Sequence, residues 1–216
     1  MKGLLYKSIT MLVDSYKKNL ILVLVLYMGL CFVTSFIGYI YFLPVFLGLY
    51  AASAMTLDEY SHWDIYARTL PLGNRVLVGA NYLVGLICSG AGFILAFLCG
   101  LLVHLLRGTG EGPVLLFISC LAAWIVAFFY LSLCLPLSYQ FGAAKARNYV
   151  MIALAVIFVA FMAVGGSIAK QGTPSFLGNI TEADFTIGLF VTFGCMLVVY
   201  LISYFISCAI YSRKEF

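Results

Sequence analysis

The charged residues of this chain fall in a few short islands, and between them run uncharged stretches of about 20 residues or more. A water-soluble core has no use for so many such stretches. With 64% hydrophobic and 9% charged residues, the composition is that of an integral membrane protein.

A helix rises about 1.5 Å per residue, so a hydrocarbon core of roughly 30 Å is crossed by about 20 apolar residues. Six segments meet that length, at about 20–39, 40–57, 76–106, 114–138, 149–169 and 186–211. The expected fold is therefore all-α, a single transmembrane domain over residues 1–216 with six membrane-spanning helices. The first two spans are separated at Gly38 and Pro44, because one helix over 20–57 would be nearly twice the membrane thickness. The third span exceeds a single crossing, so it tilts or projects from the bilayer.

Orientation follows from the basic residues. Ten of the twelve (Lys2, Lys7, Lys17, Lys18, Arg68, Arg75, Lys145, Arg147, Arg213 and Lys214) fall on one side, and only Arg107 and Lys170 fall on the other. The positive-inside rule then puts both termini in the cytoplasm, which requires an even number of spans. Four lysines precede the first apolar run and no small-residue cleavage site follows it, so that run reads as a retained anchor. The net charge of +4 is accounted for by anchoring residues beside anionic lipid, with no call for a nucleic-acid partner.

Several chemistries are disfavoured. The seven cysteines form no CxxC pair and sit in apolar segments, so they read as small packing residues and neither a metal site nor a disulfide framework is expected. No GxxxxGK[ST] loop is present to cradle a nucleotide, and the segments between spans are too short for a nucleotide-binding domain. A six-span membrane protease would need a Ser and a His on facing helices, but His62 lies in a loop and His104 near the outer end of the third span. Charge is almost absent from the spans, which argues against an ion relay. Gly85, Ser89, Gly92 and Ala96 form a small-residue stripe suited to close helix packing.

The cytoplasmic segments hold what chemistry there is. In residues 1–19, Leu5, Ile9, Leu12 and Tyr16 recur at helical spacing opposite Lys7, Thr10, Asp14 and Lys17, the pattern of an amphipathic helix lying in the interface. Residues 58–75 carry three acids, two arginines, a Trp and two Tyr, more than a plain connection needs. The leading acids and the Pro71 to Gly73 stop predict a short helix parallel to the membrane, with aromatic and charged side chains composed as in a protein-docking surface. The loop at 138–148 again joins aromatic to basic residues, and two such loops on one face point to one soluble partner.

The run with Trp63, Asp64 and Tyr66, the Leu70-Pro71 step, Phe141-Gly142 followed by Lys145 and Arg147, and the terminal Lys214-Glu215-Phe216 resemble ABC transporter permeases of the type-2 exporter class. Within that class the chain is similar to small bacterial permeases that work with a separately encoded ATPase, including exporters of amphipathic peptides such as phenol-soluble modulins. The resemblance implies a coupling helix after the second span, formed here by Asp58, Glu59, His62, Trp63, Asp64, Tyr66 and Arg68. A second contact to the ATPase falls on Tyr139, Phe141, Gly142, Lys145 and Arg147. Asn81 departs from the class, where a basic residue is expected.

The resemblance also implies an assembly of two permease subunits, this chain with itself or a paralogue, and two ATPases in the bacterial cytoplasmic membrane. This chain would bind no cofactor, since ATP and Mg belong to the ATPase. Abundant Phe and Tyr with scattered Ser, Thr and Cys suit a hydrophobic or amphipathic cargo, expected to be a peptide, although most such aromatics pack between helices or face lipid. The alternative is a non-pumping membrane protein, an immunity or assembly factor.

Overall fold

The structure, a computed structural model, describes residues 2–34, 37–61, 63, 66, 73–107, 112–171 and 182–213. Its principal elements are helical: α1 (Lys2–Thr34), a 3-10 helix (Ile37–Phe42), α2 (Leu43–Tyr60), α3 (Asn74–Arg107), α4 (Pro113–Phe141), α5 (Ala143–Gln171) and α6 (Glu182–Arg213). Among the described residues, four helical stretches are long and apolar enough to cross a membrane: Gly38–Tyr60, Asn74–Leu106, Pro113–Phe141 and Thr186–Arg213. The span expected at 20–39 falls for the most part in α1 and the one at 149–169 in α5, and neither is among those four.

Two boundaries differ from the sequence expectation: α2 runs on to Tyr60, so Asp58 and Glu59 close that helix and do not open a separate one, and α1 has no break near residue 19. Residues 1–19 and 20–39 are not two elements, since α1 runs unbroken for 33 residues. No Gly, Pro or capping turn interrupts the chain near Asn19, so nothing stops the helix there. Part of the apolar face of residues 1–19 is turned onto the chain itself. Leu12 is buried with Ala54 of α2 and Val84 of α3, Leu5 and Tyr16 pack against the same cluster, and Tyr16 meets Tyr50 at 4.8 Å between ring centroids. The break between α1 and α2 falls where Gly38 and Pro44 suggest it. The 3-10 turn occupies Ile37–Phe42, and Pro44 sits in the first turn of α2, where a missing N–H costs no helical hydrogen bond.

Helix α2 packs most extensively on α3, and α4 packs on α2, α3, α5 and α6. The small-residue stripe of α3 makes the α2 contact possible. A Cβ on Gly92 would lie 2.8 Å from Pro44 Cα, so only glycine lets the two backbones come this close. Further along the stripe, Ser89 and Ala96 are fully buried, and Ser89 accepts a hydrogen bond from Trp124 Nε1 at 3.3 Å. Aromatic rings continue the core through α3, α4 and α6. Phe93 stacks on Trp124 at 4.8 Å, Trp124 meets Phe128 at 5.3 Å, Phe128 meets Tyr200 at 5.3 Å, and Tyr200 meets Tyr82 at 5.0 Å.

A hydroxyl seam joins α3, α4 and α6. Pro136 lies inside α4 and has no N–H to give to the carbonyl of Ser132, one turn before it. That carbonyl instead accepts the Oγ–H of Ser203 at 2.7 Å. Ser203 having spent its one proton, it accepts from Tyr82 Oη at 2.7 Å, and Tyr82 Oη in turn lies 2.7 Å from Ser207 Oγ. Tyr200 adds a hydrogen bond to the Tyr82 carbonyl at 2.7 Å. In an apolar surround such a chain is how a proline-freed carbonyl is satisfied.

Candidate functional site

One end of the bundle gathers the start of α1, the end of α2, the start of α3, the end of α4, the start of α5 and the end of α6. Leu4, Met55, Leu77, Ser138, Ala143 and Tyr211, one from each helix, line a single cavity of about 110 Å³ there. The described basic residues Lys7, Arg75, Lys145, Arg147 and Arg213 belong to these same helix ends.

The end of α2 is tied to its neighbours by two successive acids. Asp58 forms an ion pair with Lys7 of α1, and both side chains are largely withdrawn from solvent. The Lys7 ammonium also lies 3.9 Å from the ring centre of Trp63, a distance at which the π face attracts a cation. Trp63 in turn meets Tyr66 at 5.3 Å. The next acid reaches elsewhere: Glu59 Oε2 accepts the backbone N–H of Ala143, the first residue of α5, at 2.8 Å. Past Glu59, Tyr60 is 76% exposed, and α2 ends as Ser61 donates its N–H to the Leu57 carbonyl at 3.1 Å.

The connection between α4 and α5 is a single residue. Gly142 has φ +89°, a left-handed conformation that residues with a Cβ avoid. Its N–H closes α4 on the Ser138 carbonyl at 3.1 Å, and its own carbonyl accepts from Ala146 at 3.0 Å to open α5. Below this turn Tyr139 is buried. Its hydroxyl accepts from Asn81 Nδ2 at 2.9 Å, and its ring meets Tyr211 edge-on at 5.6 Å. Phe141 and Tyr149 stay at the surface and pack edge to face at 5.9 Å, beside exposed Lys145 and Arg147.

Of the residues singled out in the first cytoplasmic segment, Asp58, Glu59, Trp63 and Tyr66 are placed together, while His62, Asp64 and Arg68 lie outside the described residues. In the second segment Phe141, Lys145 and Arg147 are exposed, Gly142 is the turn itself, and Tyr139 supports the turn from inside. Sequence reading passed over two participants. In the sequence Lys7 is one of the cytoplasmic basic residues, on the side of the amphipathic helix opposite Leu5 and Leu12, and its separation of 51 residues from Asp58 carries no local signal. Asn81, set apart as a departure from the class pattern, is the hydrogen-bond donor that holds Tyr139. Among the described residues, no group of three or more His, Cys, Asp or Glu is placed to hold a metal ion.

Long apolar helices, seamed by hydroxyls and capped at one end by charged and aromatic groups, define an integral membrane protein. The chain belongs to the ABC-2 family of transporter proteins, whose family match spans residues 3–212. It is thus the transmembrane permease subunit of an ABC transporter and is not itself the catalyst; the ATPase is a separate partner subunit. No curated protein and no solved structure matches the chain.

Proposed function

We propose that this permease subunit belongs to an ATP-driven exporter that moves a hydrophobic or amphipathic cargo, in the first instance a peptide, outward across the bacterial cytoplasmic membrane. The ATPase docks on the end of the bundle where Asp58, Glu59, Trp63 and Tyr66 meet the α4–α5 turn. The observation that carries this reading is the surface there. Tyr60, Tyr66, Phe141 and Tyr149 are each about half exposed or more, beside exposed Lys145 and Arg147. Aromatic anchors within a charged rim are what a protein partner buries. The same end carries most of the basic residues, which favours a cytoplasmic position for it and for both termini.

In the working transporter two permease chains, this one with itself or with a related chain, assemble with two ATPases that hold ATP and Mg. ATP binding draws the ATPases together, the docked segments move with them, and the permeases alternately close and open a central path. The amphipathic cargo follows from the near absence of charge in the spans and from the resemblance to exporters of amphipathic peptides. Six spans, the first and fifth within α1 and α5, complete this topology.

The test is co-purification from native membranes in mild detergent. The chain is expected to bring a soluble ATPase with it in near-equal amount, and the Trp63→Ala, Asp64→Ala variant is expected to lose at least about tenfold of it while remaining inserted, as removal of a central aromatic anchor does. Emergence of the chain alone, or undiminished ATPase on the variant, overturns the docking site and moves the immunity or assembly alternative ahead.

A further inference from the structure

The two acids that end α2 divide their work. Asp58 binds back to α1 through Lys7, whereas Glu59 reaches across to α5. A helix start leaves its first N–H groups without intrahelical partners, and the residue before it normally supplies a side-chain oxygen to one of them. Gly142 stands at that position in α5 and has no side chain to offer. Glu59 fills the role from another helix, with Oε2 2.8 Å from the Ala143 nitrogen, and its negative charge suits the positive end of the α5 dipole. The turn is shaped to admit it. A Cβ on Gly142 would lie 2.7 Å from Glu59 Oε1, so any larger residue would force this carboxylate to shift.

Beside the packing of Ala143, Ala146 and Val150, this arrangement gives the start of α5 one covalent link, through Gly142 to α4, and one polar link, through the Glu59 carboxylate, one residue from Asp58 and four from Trp63. A pull on the Trp63 segment therefore reaches the first turn of α5 through one hydrogen bond, without passing through the length of the bundle. We propose that Glu59 is a positioning residue that makes the two cytoplasmic segments one moving body, passing displacement of the ATPase-docked segment directly to α5. This rests on the docking reading above. Glu59 acts through the backbone of α5 and has no part in binding nucleotide or cargo.

Hydrogen exchange on the purified permease in lipid nanodiscs, with and without the co-purifying ATPase locked by ATP and vanadate, tests this without knowledge of the cargo. In the native chain, addition of the ATPase is expected to slow exchange over 58–66 and to change it at 143–147. In Glu59→Ala, the 143–147 amides exchange at least about tenfold faster at rest, as an uncapped first turn frays. Their response to the ATPase is lost while that of 58–66 remains. Glu59→Gln keeps a carbonyl oxygen able to accept from Ala143, so it restores the response at 143–147, which a general loss of stability would not allow. If 58–66 responds and 143–147 responds equally in the native chain and both variants, the link through Glu59 is overturned and the docking site stands. If 58–66 does not respond in the native chain, the docking site falls and the link with it. Should Glu59→Ala fail to fold, Glu59→Met, similar in length but with no oxygen to accept from Ala143, takes its place, and an unchanged response at 143–147 in it would overturn the proposal.

Discussion

Helices α2 and α6 are both apolar enough to cross a bilayer, yet 56% of the most apolar stretch of α2 is buried within the chain against 11% for α6. The more apolar of the two is the less buried. Helix α2 turns its small residues inward, with Gly48, Ala51, Ala52, Ser53, Ala54 and Thr56 all buried. Helix α6 buries a narrow stripe of Tyr200, Ser203, Ser207 and Tyr211 and leaves Ile187, Phe190, Val198, Ile202 and Phe205 outside. Where lipid is as apolar as leucine, exposing leucine costs nothing, and what holds helices together is close backbone approach and hydrogen bonding. Between these two helices, hydrophobicity marks what enters the membrane, while glycine, alanine and hydroxyls mark much of what meets another helix.

That contrast can be tested directly. The largest effect is expected from Gly92→Leu, which drives a side chain into the backbone at Pro44 and forces α2 away from α3. A loss of about 3 kcal/mol or more is expected, at or above the usual range for overpacking, read as a lower thermal midpoint and loss of monodisperse protein in detergent. A smaller loss, about 1–3 kcal/mol, is expected for Ser203→Ala, which leaves the Ser132 carbonyl of the proline-interrupted α4 without a partner. Its neighbour supplies the smallest effect. Ile202→Ala removes more atoms than Ser203→Ala, but from a side chain 52% exposed on the outer face, so the thermal midpoint should shift by no more than the equivalent of about 0.5 kcal/mol. If Ile202→Ala proves costlier than Ser203→Ala in the isolated subunit, the outer face of α6 is packed against protein and the contrast with α2 is wrong.

The small-residue stripe of α3 was legible in the sequence because its spacing repeats on one helix face, and Gly92, Ser89 and Ala96 do pack inward. Pro44 and Gly38 marked the α1 to α2 break for a similarly local reason, the missing N–H and the missing Cβ. The length of α1 was not legible. Lys17 and Lys18 signal the edge of an apolar run, but a helix passes through charged residues without interruption, so a change of polarity is not an end of secondary structure. Within the candidate site, the aromatic and acidic composition near residue 60 was visible, whereas the direction taken by each acid was not. Asp58 and Glu59 are adjacent carboxylates with no difference in local pattern, and they part only because α1 stands on one side of the α2 terminus and α5 on the other.

The amino-acid sequence by itself determined that this chain is helical and membrane-embedded, because backbone groups in hydrocarbon must be satisfied within each segment and the apolar runs have the length to cross. It also determined which end of the bundle is basic, since alternate crossings return the chain to the same side. Only the tertiary structure decided that Lys7 belongs to Asp58 and Trp63, that Ser203 completes α4 at Pro136, and that Glu59 caps α5. Those pairings join residues from 51 to 84 positions apart, and a hydrogen bond depends on where two helices meet in space, a distance that no local spacing along the chain encodes.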